Sequence, residues 1–290
     1  MLLISEKFPS EFTLFLGSDF HIGTIACYEE GIQKMLDDIK RTKNAFFIGG
    51  GDFCETIYVD HPHFQVGVHQ ADNTPFKQAE YVRKKLKQID GKIVCLIGGN
   101  HELRVFRIFD IIGYLSMNLK GINGKKKLPH VEGRFNGAVK LVVKDHRGNT
   151  RFKLYYRHGT KAISSAADDP IRRQANEKLI LKRHLKNAFG DCIALFKAHV
   201  HKLIVAEPEK SLYLTDDEDS IRQRYTHAGS DDEYIPPDLR WYGSTGGFHK
   251  TSLIGASTYA ELKEYDPVEL GYIKVHVAGK NIVSVEPVIV

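Results

Sequence analysis

"FTLFLGSDFH", residues 12–21, sets the apolar run Phe12 to Leu16 directly against a glycine, an aspartate and a histidine. A short run of this kind reads as a buried strand, and the glycine closes it. In an extended segment, residues two apart project from the same side. Asp19 and His21 would then leave the strand end together, as a polar surface turn or as half of a metal site. Four further stretches repeat the pattern: "AFFIGGGD" (45–52) delivers Asp52, "KIVCLIGGNH" (92–101) Asn100 and His101, "KLYYRHG" (153–159) His158, and "CIALFKAHVH" (192–201) His199 and His201. In open α/β folds, sites form outside the carboxyl ends of strands, where five such ends would converge. Singly, each has an ordinary explanation as a turn former or cap. Together, Asp19, His21, Asp52, Asn100, His158, His199 and His201 supply enough nitrogen and oxygen donors for two metal ions, with Asp52 able to bridge them.

Around these ends the chain alternates. Apolar β-type runs fall at 12–16, 45–48, 92–97, 138–143, 152–156 and 192–196, then near 202–206, 211–215, 272–278 and 282–289. Three helical stripes separate the early runs: Ile32/Met35/Leu36/Ile39, Ala79/Val82/Leu86/Ile89 and Val105/Ile108/Phe109/Ile112/Leu115. A fourth helix is expected over about 171–189, capped by Asp168 and Asp169 with Pro170 in its first turn. The first half alternates strand and helix and the second is richer in hairpins, which gives a mixed α/β sandwich. Residues 56–76 and 120–137 read as long loops, and "DDED" at 216–219 as an exposed hairpin tip.

The 290 residues carry 42% hydrophobic side chains and a formal charge of +5, ordinary for a globular chain and compatible with a polyanionic partner. No apolar run approaches the roughly 20 residues that cross a bilayer, and the N-terminus lacks a cleavage signal, so a cytoplasmic protein without a membrane partner is expected. The four cysteines are scattered with no zinc spacing and read as buried reduced thiols. The 290 residues are expected to form one domain, with a hairpin-rich part from about 202 packed on the core.

The ordered set D-x-H (Asp19, His21), G-D (Gly51, Asp52), G-N-H-E (Gly99 to Glu102), H (His158) and H-x-H (His199, His201) resembles the calcineurin-like metallophosphoesterase superfamily, over roughly residues 13–201. The resemblance implies a four-layer αββα sandwich with a dinuclear metal centre. Asp19, His21, Asp52 and His201 would hold one ion, and Asp52, Asn100, His158 and His199 the other. His101 would be catalytic without binding metal. Two such ions bind the phosphoryl oxygens and lower the pKa of a bridging water, which attacks in line with the leaving group. His101 would then donate the leaving group's proton, with Glu102 orienting it or opening the next helix. Imidazole ligands favour transition ions, manganese first, with iron or zinc as alternatives.

Departures bear on the substrate. Ala198 replaces the family's usual glycine before H-x-H, and Gly98 stands where protein phosphatases carry arginine before G-N-H-E. The D-x-H-x-G opening (Asp19, His21, Gly23) is closer to repair exonucleases and to phage and bacterial phosphoesterases, and "RWYGSTGGFHKT" (240–251) is similar to a segment of phage-encoded members. Lys120 and Lys125 to Lys127, with Arg172, Arg173, Lys178, Lys182, Arg183 and Lys186, form either solvated faces or a nucleic-acid footprint. Trp241, Tyr242 and Phe248 either stack on a base or pack internally. His61, His63 and His69 lie in the loop after Asp52, where they could approach substrate. The reading favoured is a phosphodiesterase acting on DNA. The alternatives are a phosphomonoesterase acting on a nucleotide, small phosphoester or phosphoprotein, and a non-catalytic nucleic-acid-binding module.

Overall fold

A computed structural model describes residues 1–69, 73–130, 137–230 and 232–290. In chain order the elements are β1 (Leu2–Lys7), β2 (Glu11–Gly17), α1 (Glu29–Arg41), β3 (Ala45–Gly49), α2 (Pro75–Leu86), β4 (Ile93–Leu96), α3 (Asn100–Val105), α4 (Ile111–Asn118), β5 (Ala138–Lys144) and β6 (Thr150–Arg157). They continue with α5 (Pro170–Leu185), β7 (Ala194–Lys197), β8 (Leu203–Ala206), β9 (Leu212–Asp216), β10 (Ile221–Tyr225), β11 (Trp241–Thr245), α6 (Tyr259–Leu262), β12 (Gly271–Ala278) and β13 (Asn281–Ile289).

Two mixed sheets face each other. One has the order β1-β5-β6-β7-β11-β8 and the other β13-β12-β2-β3-β4. Leu14, Leu16, Ile48, Val94, Leu154, Phe196 and Ile273 fill the space between them. The alternate residues of β2 and β3, Phe15 and Phe47, point outward and pack with Ile32, Met35, Leu36 and Ile39 of α1 and Ala79, Val82 and Leu86 of α2. On the far side, Tyr155 and Leu195 meet Leu181 and Leu185 of α5. The period of two along each strand thus creates three apolar layers and the expected αββα order.

Helix starts follow local chemistry. Thr74 accepts from Lys77 N, and Asp169 from Arg172 N at 2.7 Å, each ahead of a proline in the first turn. The expected stripe from Val105 to Leu115 is broken, because Asp110 caps a new helix by accepting from Gly113 N at 2.9 Å. Ile108 falls in the break and is 80% exposed. α5 ends at Leu185, four residues before its expected end. β1 and β11 were not expected as strands. β1 is half-exposed and mixes apolar with charged side chains, and β11, "WYGST", breaks the apolar pattern with a glycine and two hydroxyls. The 216–219 tip does join an exposed hairpin of β9 and β10. All four cysteines are buried and free. No described helix is long and apolar enough to cross a membrane.

β2, β3 and β4 run parallel, as do β6, β7 and β11. Their carboxyl ends open on one edge, where Gly50 lies tight against the other sheet. Gly50 N donates to Gly17 O at 2.8 Å, and a β-carbon on Gly50 would overlap the Tyr156 hydroxyl reaching across from the other sheet. We expect Gly50→Ala to lose about 1–3 kcal/mol of stability by overpacking, read from urea unfolding. Gly50→Ala/Tyr156→Phe should recover part of that loss, and equal midpoints for wild type and the single variant would contradict the tight contact.

Candidate metal centre

The site begins with an unusual backbone. Asp19, His21, Asp52, His199 and His201 all have positive φ, at 55°, 52°, 53°, 76° and 55°. They make up half of the ten non-glycine residues with positive φ among those described. The segment after β2 is therefore not extended, contrary to the sequence expectation, and Asp19 and His21 share a pocket because each strand end coils into a left-handed turn. Such turns cost roughly 1 kcal/mol or more per residue and persist only where the surroundings over-determine them. Here the turns hold one another. Asp19 N donates to Gly51 O at 2.9 Å, His21 N to Asp52 O at 3.1 Å, Phe248 N to Asp19 O at 2.9 Å and His199 N to Asp19 Oδ2 at 3.1 Å.

The structure gathers the seven candidate donors into two adjoining groups. Asp19, His21 and His201 form one, and Asp52, His158 and His199 the other, with ligand atoms inside each group within 4.8 Å of one another. Asn100 joins the second through its Oδ1, 3.1 Å from His158 Nε2. His158 Nδ1 lies 2.8 Å from Gly50 O, a pure acceptor, so Nδ1 carries the ring hydrogen. In a neutral ring, Nε2 then offers a lone pair while 3.1 Å from both Asp52 Oδ2 and Asn100 Oδ1. In the other group His21 Nδ1 is 2.7 Å from Glu55 Oε2, which turns His21 Nε2 toward His201 Nε2 at 3.1 Å. Asp19 Oδ1 is buried with no hydrogen-bond partner among the described residues, and the nearby His201 Nε2 at 3.4 Å is not aligned to be one. Converging acceptors of this kind fit cations.

The charge balance agrees. Burial opposes a charged His158, yet Asp52 outweighs it and pushes the pKa up to about 9. His21 reaches about 9 in the same way, burial being overcome by Glu55, Asp52 and Asp19. Burial would raise Asp52, but His158 and His101 hold its carboxyl well below the usual range. His199, less closely matched with a carboxylate, is pushed down to about 4 by burial and by His158. In the absence of metal, protons take the places for which the donors are arranged.

His101 stands beside this set. Its Nδ1 is 2.5 Å from Glu55 O and its ring meets His21 edge-on at 4.6 Å, leaving Nε2 without a hydrogen-bond partner among the described residues. Burial drives its pKa down to about 4 against the pull of Asp52 and Glu55, so it is neutral at pH 7. Glu102 does not orient the His101 ring. Its carboxylate accepts from Asp52 N, Phe53 N, Cys54 N and Gly99 N at 2.7–3.2 Å, clamping the turn that carries Asp52 to the turn that carries Asn100. The turns touch so closely that a β-carbon on Gly99 would overlap Asp52 Oδ1.

Sequence reasoning missed Glu55, the buried carboxylate that fixes His21, receives His69 Nε2 at 3.3 Å and lies 3.7 Å from His101 Nδ1. A carboxylate behind a ligand histidine sets its tautomer and orientation, and the only signal was its place three residues after Asp52. His249 was also missed; its ring is 5.3 Å from that of His21, and burial pushes its pKa down to about 3. His69 packs inside, whereas His61 and His63 lie beside each other on the surface, 5.3 Å apart. Tyr242 and Phe248 are buried in the core, so internal packing and not base stacking accounts for both.

Three outcomes follow from this arrangement. Asp52→Asn should fall from two bound ions per chain to fewer than one, measured by elemental analysis after dialysis; full metal content would remove Asp52 from the ligand set. Glu102→Gln, with one acceptor oxygen in place of two, should cost about 1–3 kcal/mol of stability although it touches no ligand side chain, and an unchanged unfolding midpoint would refute the clamp. Metal-stripped chain should lose stability as pH rises. The His21 and His158 protons contribute fully below the unfolded value near 6.5 and are lost as pH passes the folded value near 9. Differential scanning calorimetry between pH 6.5 and 9 checks this, and a melting temperature that climbs across that window would overturn it.

Comparison with known proteins agrees with the geometry. A solved structure titled "GAP50 the anchor in the inner membrane complex of Plasmodium" aligns over 97% of this chain and 89% of its own, at 7% identity and a TM-score of 0.38, too distant to bear on fold or function. No curated protein matches the sequence. The model of the calcineurin-like phosphoesterase family matches residues 15–222, a span that contains every candidate donor and His101. With two facing mixed sheets, a donor cluster at their shared edge and that match, the chain belongs to the calcineurin-like phosphoesterases, metal-dependent hydrolases of phosphate esters.

Proposed function

We propose that this phosphoesterase cleaves phosphodiester bonds, with DNA as its substrate, using two divalent transition-metal ions of which manganese is the first choice. The observation that supports the dinuclear reading is the pair of adjoining donor groups, each with an imidazole Nε2 aimed at other acceptors. Asp52, lying between Asn100 and the turn of His21, is assigned the shared carboxylate. Bound there, a pair of divalent ions supplies positive charge for the phosphoryl oxygens and an activated water.

The chain's own residues supply the rest. Glu55 and the Gly50 carbonyl fix the tautomers of His21 and His158. His101 Nε2, free of protein partners, is placed to hold a proton for the leaving oxygen. The bound phosphoester's negative charge stabilises the protonated ring that the empty pocket disfavours. The DNA assignment draws on α5, where Arg172, Lys178, Arg183 and Lys186 are exposed and have no carboxylate partner among the described residues, as a surface that tracks phosphates would. Lys182 is paired with Asp238 and Lys125 with Glu6, so these two lie outside that footprint.

Parallel assays in Mn²⁺ with a chromogenic diester, a chromogenic monoester and labelled single- and double-stranded DNA test the reading. Diester turnover and strand cleavage are expected. Monoester-only turnover would assign a phosphomonoesterase, and no turnover by fully loaded protein would assign a binding module. His101→Ala should keep both ions while kcat falls about 10²- to 10⁴-fold, and lost metal in that variant would instead make His101 a ligand.

A further inference from the structure

Arg157 and Lys197 are register partners at the ends of β6 and β7, one residue before His158 and Ala198. Neighbouring strand residues face opposite ways. Tyr156, Phe196 and Ala198 face the space between the sheets, so Arg157 and Lys197 face α5 with Tyr155 and Leu195. There they line a cavity of about 70 Å³, together with Thr160, Lys161 and His184. That is several times the roughly 10–15 Å³ one water needs, which suits a small oxyanion rather than a base or sugar.

The lining is cationic, with no carboxylate among the described residues that form it. Neither the Arg157 guanidinium nor the Lys161 ammonium has a hydrogen-bond or ion-pair partner among the described residues. Lys197, only 2% exposed, donates to a single neutral acceptor, Lys161 O, at 2.5 Å. His184 Nδ1 is buried with no partner. Elsewhere on the same sheet the rule is the opposite, since Lys140 and Lys153 share Asp191 at 2.7 and 2.9 Å. A buried cation such as Lys197 normally comes with a paired counter-charge, and no described carboxylate pairs with it directly.

We infer that Arg157, Lys161, Lys197 and His184 form a phosphate-binding subsite on the α5 side of the six-stranded sheet. The planar guanidinium and two ammonium groups match the oxygens of a phosphate group. The phosphate belongs either to the substrate strand, next to the linkage being cleaved, or to a free anion. The first source rests on the DNA reading given above; the second does not.

The His184 ring resonances report on the cavity directly. Zinc-loaded wild type and the Arg157→Gln/Lys161→Gln variant are titrated with inorganic phosphate and, separately, with a non-hydrolysable phosphorothioate tetranucleotide. His184 shifts are expected in wild type, with midpoints about tenfold or more higher in the variant after loss of two charge-assisted partners. A response to the tetranucleotide assigns the subsite to the substrate strand, and a response to inorganic phosphate alone assigns it to a free anion. Indifference of His184 to both ligands, or equal midpoints in wild type and variant, would overturn the subsite. Neither result depends on turnover, so a failed nuclease assay and a failed subsite remain separate findings.

Discussion

Lone pairs aimed at one another cannot share a dry volume unless positive charge lies between them. His158 has already committed its ring hydrogen to Gly50 O, and its other nitrogen faces a carboxylate and an amide oxygen. Much of the surrounding structure serves to keep those atoms from moving apart. Glu102 staples two turns together, Glu55 locks two imidazoles, and the triple glycine lets one sheet lie against the hydroxyl of the other. A hydroxyl chain backs the cluster, with Ser18 Oγ at 2.5 Å from Asp19 Oδ2 and 2.7 Å from Thr245 Oγ1, which in turn receives Tyr156.

The left-handed ligand turns show what those constraints sustain. Five residues hold a conformation that a free peptide would avoid, and each is fastened by a hydrogen bond to, or lies two residues from, another ligand-bearing turn. Strain and ligation are therefore two aspects of one arrangement. Donors at the ends of rigid strands, bent inward by turns that cannot relax, are held in place before any ion arrives.

Much of this was legible in the sequence because strands announce themselves by period and composition. The runs at 12–16 and 45–48 became β2 and β3 nearly to the residue, and six of the seven candidate donors fall in the two groups beyond the strand ends, while Asn100 opens α3. What could not be read was chemistry that depends on distant partners. The left-handed turns carry Asp and His, which composition alone does not mark as strained. Glu55 gains its role only when His21, more than thirty residues earlier, folds against it. β11 eluded notice because Gly243, Ser244 and Thr245 lack apolar bulk, and Gly243 is needed there, since a β-carbon would strike the Phe196 ring. The break after Val105 was similarly hidden, because Ile108 continues the apolar spacing while facing solvent.

β2 lies in its sheet between β3, which follows soon after it, and β12, which pairs with it along its whole inner length. Some 250 residues of synthesis separate the two, roughly 10–50 s at cellular elongation rates. Until residues 271–278 leave the ribosome, the strand that leads to Asp19 has a bare edge, and the Gly247 carbonyl that receives Gly271 N has no strand to anchor it. A nascent chain thus carries every candidate donor without the scaffold that seats them. The seating of the Asp19 turn therefore waits on strands that are among the last to be made.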